Sequence, residues 1–346
     1  MKALIYQGPG KITVEERHKP VIKKPSDAVV KIKKTTICGT DLHILKGDVA
    51  TCTAGRILGH EGIGIVDSVG SGVTEMSPGD KVIISCITSC SKCEPCRKGM
   101  YSHCIYGGWI LGNRIDGTQA EYVLIPQADT SLYKIPGGVN DEALVLLSDI
   151  LPTGFECGVL NGKVQPGNSI AIVGAGPIGL ATLLTAQFYS PAEIIVIDVD
   201  EHRLEMAKRL GATQIVNNQD GKAANKVMDM THGRGVDTAI EAVGIPSTFV
   251  LTEDIVAAGG TIANIGVHGT KADLHLERLW SQNITITTRL VDTVSTSMLL
   301  KTVCAHKIDP QLLISHHFKF ENILDAYDTF EQAAKTNALK VIIDVA

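Results

Sequence analysis

At 346 residues, 44% of them hydrophobic, only 4% aromatic and 34 of them glycine, the chain is too long for one ordinary core and too apolar for a disordered protein. A formal net charge of −5 with no run of five or six like charges lacks the basic footprint of a phosphate-backbone binder, so nucleic acid is not an expected partner. The opening MKALIYQGPGKITVEE lacks the pattern of a signal peptide, and no apolar run reaches bilayer length, which predicts a cytoplasmic protein with no membrane partner.

Two domains with a cleft between them are expected from the length. From Val29 to roughly Pro136, short apolar runs (VVKIKK, GIGIVDSV, KVIIS, AEYVLI) alternate with Gly, Pro, Ser and Asp, which predicts a β-rich domain. It carries two groups of metal-ligand residue types. The first is Cys38 in CGTDLH, His60 and Glu61 in GHEGIG, and Asp149 in SDILPTG. Each alone has an ordinary explanation, as core filler, hydrogen-bonded core histidine or helix cap. As a set, a thiolate, an imidazole and a carboxylate can bind zinc and leave one position open for water or substrate.

The second group is Cys90, Cys93, Cys96 and Cys104, spaced C-x2-C-x2-C-x7-C in a loop rich in Ser, Lys, Pro and Gly. Four thiolates close a tetrahedral zinc completely, which marks a structural site. An accidental group of buried or redox thiols is the weaker reading, because three thiols two residues apart cannot all be packing fillers. Four thiolates also suit an iron–sulfur cluster, although the rest of the chain argues for zinc. Nine cysteines in a large chain without an export signal point to metal or small buried hydrophobes rather than disulfides.

After the turn-forming KVQPGNS, apolar runs alternate with helical patterns: SIAIV, a helix from Pro177, EIIVID, a helix from Glu201, TQIV, VDTAIE, TIANIG and ITIT. That alternation predicts a parallel sheet with helices on both faces. GAGPIG, spanning Gly174, Gly176, Pro177, Ile178 and Gly179, follows the first strand and opens a helix, where glycines let backbone N–H groups meet a pyrophosphate. Asp198 ends the next strand about twenty residues on, where a carboxylate can accept hydrogen bonds from the adenosine ribose. Beyond Leu290 come the amphipathic stretches SMLLKTVCAHK and ILDAYDTFEQAA, then the strand-like ALKVIIDV. A tail this short is expected to return to the first domain.

In this order the segments resemble the zinc-containing medium-chain alcohol dehydrogenases over essentially the whole chain. Asp149, where the liver-type branch has a cysteine, is most similar to the bacterial secondary-alcohol dehydrogenases, which are commonly tetramers. The resemblance implies an α/β fold: a β-rich GroES-like catalytic domain over 1–150 with the structural-zinc lobe at 86–105, a doubly wound parallel-sheet Rossmann domain over 151–288, and a return of 289–346 to the catalytic domain. It implies two zinc ions per chain, a small uncharged alcohol or ketone as substrate, and a homotetramer with a dimer as the alternative. Cys38, His60 and Asp149 would hold the catalytic zinc, with Glu61 as an occasional ligand or behind the ligands. Thr40 and His43 match a proton relay that runs through the cofactor ribose.

Thr153 and the backbone of Ile265, Gly266 and Val267 would position the nicotinamide, Arg203 would stand near the adenosine ribose, and Lys340 is a candidate pyrophosphate contact. The best-known NADP-dependent members of the similar branch lack both the lobe cysteines and an acid at the position of Asp198. This chain has both, and NAD is the expected coenzyme. Trp109, Leu290, Val49 and Ile87 are implied as pocket residues, with Trp109 equally readable as a core or interface residue. Polyol, butanediol and threonine dehydrogenases share these motifs and stand as the alternative activity. A zinc-ribbon interaction protein that only senses NAD(H) would explain the four-cysteine loop but not the separate Cys38, His60 and Asp149.

Overall fold

A computed structural model describes residues 1–139 and 142–345. The chain forms two compact units, Met1–Asp149 with Asp292–Ala346, and Ile150–Val291. The first begins with strands β1 (Lys2–Gly8), β2 (Lys11–Glu16), β3 (Ala28–Thr36), β4 (Arg56–Ile57), β5 (Gly62–Val69), β6 (Lys81–Ile84), β7 (Tyr122–Ile125) and β8 (Leu132–Lys134). The β-rich character therefore starts before Val29. β1 and β2 pair antiparallel, Leu4 opposite Val14, around a turn in which Gly8 and Gly10 both have positive φ.

β3 is the centre of the larger sheet and pairs antiparallel with both β5 and β7. Its Val30 and Ile32 are fully buried while Lys31 between them is not, the period of two expected of a strand with one face on the core. Val30, Ile32, Val66, Val82, Ile84, Val123 and Ile125 form one core of this unit.

The second unit contains β9 (Ser169–Val173), β10 (Glu193–Asp198), β11 (Gln214–Asn217), β12 (Val236–Glu241), β13 (Val256–Asn264) and β14 (Thr285–Thr288), all parallel in the order β11-β10-β9-β12-β13-β14. Ile170, Ala171 and Ile172 in succession are fully buried, as in a sheet covered on both faces. The chain order reverses between β9 and β12, which opens a crevice at their carboxyl ends. Helices Ala223–Met230 and Pro246–Ile255 were not anticipated from sequence. The second, PSTFVLTEDI, holds β-branched and aromatic residues that favour strands, yet Pro246 at its first turn starts it as a helix.

The tail adds β15 (Ile314–Lys319) and β16 (Lys340–Asp344) to the larger sheet of the first unit, with β16 antiparallel to β3 and Ile342 opposite Thr36. Its Phe320, Ile323, Tyr327, Val341 and Ile343 share a core with Leu4, Ile37, Ile44 and Leu58. Among the described residues, no helix is long and apolar enough to cross a membrane.

Candidate active site

Where β3 ends, Ile37 leads into Cys38, the N-cap of helix Gly39–Lys46. The Asp41 carboxylate accepts a hydrogen bond from the Cys38 N–H at 2.9 Å, satisfying an orphan helix donor and fixing the backbone that carries the thiol. His60 and Glu61 lie immediately before β5. Gly59 ahead of them has φ +90, and a Cβ there would meet Thr118 and Gln119 within 2.9 Å, so the turn requires glycine. Thr35 and Thr118 both donate to the Glu61 carbonyl at 2.8 Å. Ser148 exchanges hydrogen bonds with the Gly62 N–H and C=O, which brings Asp149 to the same place.

One ligand atom each from Cys38, His60, Glu61 and Asp149 lies within 4.8 Å of the other three. Cys38 Sγ is 3.8 Å and His60 Nε2 is 3.2 Å from Asp149 Oδ2. Zinc bonds of about 2.3 Å to sulfur and about 2.0 Å to nitrogen or oxygen give tetrahedral edges of ~3.5 and ~3.3 Å, so the residues fit one zinc ion. None of the four is more than 9% exposed. Burial raises the Cys38 thiol and the Glu61 carboxyl above their ordinary values, the latter against the opposing pull of Lys340. Burial alone would depress the His60 imidazole, but its hydrogen bonds to Asp149 and Cys38 hold it well above the usual range. A site that would otherwise crowd one thiolate and two carboxylates has the charge of a cation site. Trp109 stands edge-on to the His60 ring at 6.4 Å.

The four lobe cysteines also come within 4.8 Å of one another, with Tyr101 packed against them. The lobe cysteines form no disulfide, the Cys93–Cys104 sulfur separation being 3.9 Å. Four bonds of about 2.3 Å put tetrahedral sulfur edges at ~3.8 Å. That spacing matches a single ion and leaves no room for the inorganic sulfides of a cluster. Burial opposes ionisation of Cys93, but the Cys96 and Ile105 N–H groups hydrogen-bond its sulfur and bring it down to about 6. Burial, with the neighbouring Cys93 and Cys104, pushes Cys96 up to about 12.

Thr40 Oγ1 is 3.7 Å from Cys38 Sγ. His43, one turn further on, is partly exposed, and its Nδ1 lies 2.9 Å from Asp48 Oδ2. Gly47, left-handed at φ 86, turns the chain so that the Asp48 N–H also donates to the His43 carbonyl. Sequence reasoning missed Asp48, although HILKGD holds the helix, glycine cap and acid in order. Lys340 has a different partner from the pyrophosphate expected of it. Only 1% exposed, it donates to Glu61 Oε1 at 2.7 Å and to the Ile37 carbonyl at 3.2 Å, because β16 brings it beside β3 and the start of β5.

In the second unit, Gly174 has φ +106, and a Cβ there would strike Val243. A Cβ on Gly179 would fall on the Gly174 carbonyl, while one on Gly176 would meet only the Arg203 guanidinium, at 3.9 Å. The first glycine makes the turn, the third lets strand and helix pack, and the middle one leaves an open approach to the helix that Pro177 starts. Asp198 at the end of β10 accepts from Ala175 N at 2.6 Å, Val199 N at 2.8 Å and Asp200 N at 2.9 Å. Gly174, Gly176, Asp198, Arg203 and Asn218 are among the residues lining a cavity of ≈ 310 Å³.

Ile178 and Thr153 are half-buried, the latter just before a π-helical segment Gly154–Leu160. Ile265 and Gly266 follow β13 and donate to the Glu241 carbonyl at 2.8 and 3.1 Å, leaving Val267 60% exposed. The buried Glu241 side chain accepts from Val243 N, Gly244 N and Thr248, so one residue holds both loops. Sequence reasoning missed it; the signal is an acid closing the strand VDTAIE directly after the apolar pair Ala239 and Ile240.

Residues 24–137 match the family model for the alcohol dehydrogenase GroES-like domain, and residues 177–301 that for the zinc-binding dehydrogenase. An alcohol dehydrogenase from Cupriavidus necator is 35% identical over 363 residues, covering 99% of this chain and 98% of that protein. An NADP-dependent isopropanol dehydrogenase from Thermoanaerobacter brockii is 32% identical over 352 residues, covering 99% of each. The solved structure of zinc dependent alcohol dehydrogenase 2 from Streptococcus pneumonia, apo form, superposes with a TM-score of 0.96 at 55% identity, covering 99% of this chain and 98% of that one.

Proposed function

The chain belongs to the zinc-dependent alcohol dehydrogenases, and on that premise we propose that it oxidises small, uncharged secondary alcohols to ketones, and reduces ketones in the reverse direction, with NAD as coenzyme. The observation that carries this reading is the buried convergence of Cys38, His60 and Asp149, a ligand set that leaves one tetrahedral position for substrate. Zinc held there would supply the Lewis acidity that lets an alcohol lose its proton near neutral pH. Thr40, beside Cys38, would take that proton, and the partly exposed His43 would release it. Trp109, edge-on to His60, supports an uncharged substrate. The lobe cysteines hold a second zinc with a structural role. The working assembly is a homotetramer in the cytoplasm, which size-exclusion chromatography with light scattering tests in its first part.

Asp198 supports NAD over NADP. Its two oxygens are pinned by three backbone N–H groups in the lining of the cavity, so the carboxylate cannot swing away from a 2′-phosphate. Arg203 lines the same cavity but lies a turn into the next helix. A fixed like charge costs several kcal/mol, and about 1.4 kcal/mol is tenfold, so a preference for NAD of about a hundredfold or more in kcat/KM is expected. The test measures both coenzymes with 2-butanol, butane-2,3-diol, sorbitol and threonine. Equal use of NADP would overturn the coenzyme assignment, and a strong preference for a polyol or threonine would overturn the substrate assignment.

A further inference from the structure

Behind the proposed catalytic metal site lies a chain of buried polar groups, two of which, Gln119 and Tyr327, have no part in the sequence reading or the mechanism. Tyr327, in the tail helix Ile323–Glu331, donates its hydroxyl to Gln119 Oε1 at 2.8 Å. Gln119 Nε2 donates to the Thr36 carbonyl at 3.2 Å and to Asp41 Oδ2 at 3.3 Å. Asp41 Oδ2 holds the Cys38 N–H, and Asp41 Oδ1 lies 3.9 Å from His60 Nδ1. Tyr327, Gln119, Asp41 and His60 are each at most 4% exposed.

The directions in this chain are set by chemistry. A backbone carbonyl and a carboxylate can only accept, so the Gln119 amide must turn its NH₂ toward Thr36 and Asp41 and its oxygen toward Tyr327. A donor is then needed at that oxygen. Burial first, and the Asp41 charge second, push the Tyr327 phenol well above its ordinary value, which keeps it an O–H donor at any working pH. At the other end, Asp41 Oδ1 and His60 Nδ1 are both buried without another hydrogen-bond partner and face each other just beyond bonding distance. When Nε2 of a histidine binds metal, its Nδ1–H needs an acceptor to fix the ring.

We propose that Gln119 and Tyr327 are positioning residues for the catalytic zinc: the tail helix, through the Gln119 amide, holds Asp41 where it orients both His60 and the Cys38 backbone. The C-terminal return thereby controls how tightly the metal is held, in addition to completing the sheet. Without the Tyr327 hydroxyl, the Gln119 oxygen is left buried and unpaired, or the amide turns over and sets its oxygen against Asp41 Oδ2. Either outcome loosens the acceptor that His60 relies on.

The inference rests on the proposed zinc ligands, and its test separates the two. Zinc loss from the intact holoprotein to excess chelator is followed with a chromophoric zinc indicator, with activity recorded in parallel to identify the catalytic ion. Removing an outer partner of a metal ligand weakens binding by about 10–100-fold, so Gln119→Leu is expected to speed loss of that ion by about tenfold. Tyr327→Phe, one bond further out, should speed it by roughly threefold while the lobe zinc leaves at its unmodified rate. Phe330→Leu, in the same helix but outside the chain of hydrogen bonds, controls for general loosening of the tail and should leave the release rate unchanged. Release from Tyr327→Phe and Gln119→Leu at the unmodified rate, or equal acceleration by Phe330→Leu, would overturn the inference. If the unmodified protein carries only the lobe zinc, the ligand assignment itself fails and the inference fails with it.

Discussion

The chain gathers four candidate metal ligands twice, and the two clusters differ in how they are built. The lobe takes all its ligands between Cys90 and Cys104, all of one chemical type, from one short stretch of chain. The other takes Cys38 from a helix N-cap, His60 and Glu61 from the entry to β5, and Asp149 from a segment pinned by Ser148, and mixes sulfur, nitrogen and oxygen. A local, uniform cluster closes on its ion and stabilises the loop that carries it. A dispersed, mixed cluster depends on the whole unit for its geometry, and it can leave a coordination position unfilled. The contrast is between a metal that serves the fold and a fold that serves a metal.

The largest effect that would sharpen this contrast is expected from His60→Ala. It removes one of only three strong ligands from the dispersed site, and alcohol turnover should fall by more than about a thousandfold, the scale on which stabilisation of a developing oxyanion acts. Circular dichroism and NAD binding should remain those of the unmodified protein, because the imidazole lies in the first unit and the GAGPIG turn in the second. Substantial residual activity would break the comparison by removing the catalytic role. Next in size is Cys93→Ser, which should reduce bound zinc from two to one per chain and lower the melting temperature by roughly 5–10 °C. The specific activity of the molecules that remain folded should be nearly unchanged. If activity and stability fell together in both variants, the two sites would not be separable.

The same contrast explains what could be read without coordinates. The lobe spacing, the GAGPIG turn and Asp198 are legible because each is a local solution to a local problem: closing a tetrahedron, turning a strand into a helix, placing an acid at a strand end. GIGIVDSV, SIAIV, EIIVID and VDTAIE coincide with β5, β9, β10 and β12 to the residue. What could not be read depends on pairing across the chain. The partnership of Lys340 with Glu61 exists only because β16 lies against β3, and nothing in the segment LKVII signals it. Gln119 and Tyr327 are more than two hundred residues apart and meet only in the folded unit. β15, ISHHFK, was missed because an edge strand with alternating half-buried and exposed residues has no strong apolar face to announce it.

The smallest effect expected here concerns proton exit, which only the open site needs. A closed four-thiolate ion has no reacting group, so nothing in the lobe should respond to a missing base, whereas the dispersed site must move a proton each turnover. His43 stands five residues past Cys38 on the same helix, partly exposed, with Asp48 on its Nδ1. That contact favours the tautomer carrying the Nδ1 proton and leaves Nε2 to accept. General acid–base groups contribute about a hundredfold to ten-thousandfold when buried at the reacting atoms, but at an exposed terminus water and buffer replace much of that. His43→Gln should therefore slow alcohol oxidation at neutral pH by only about tenfold. The deficit should close as pH rises, because hydroxide takes over the proton, and added imidazole should restore part of the rate at fixed pH. Zinc content, melting temperature and KM should stay as they were, since no ligand or core residue changes. An unchanged pH–rate profile with no imidazole rescue would show that protons leave by another path, and the relay through Thr40 and His43 would have to be abandoned.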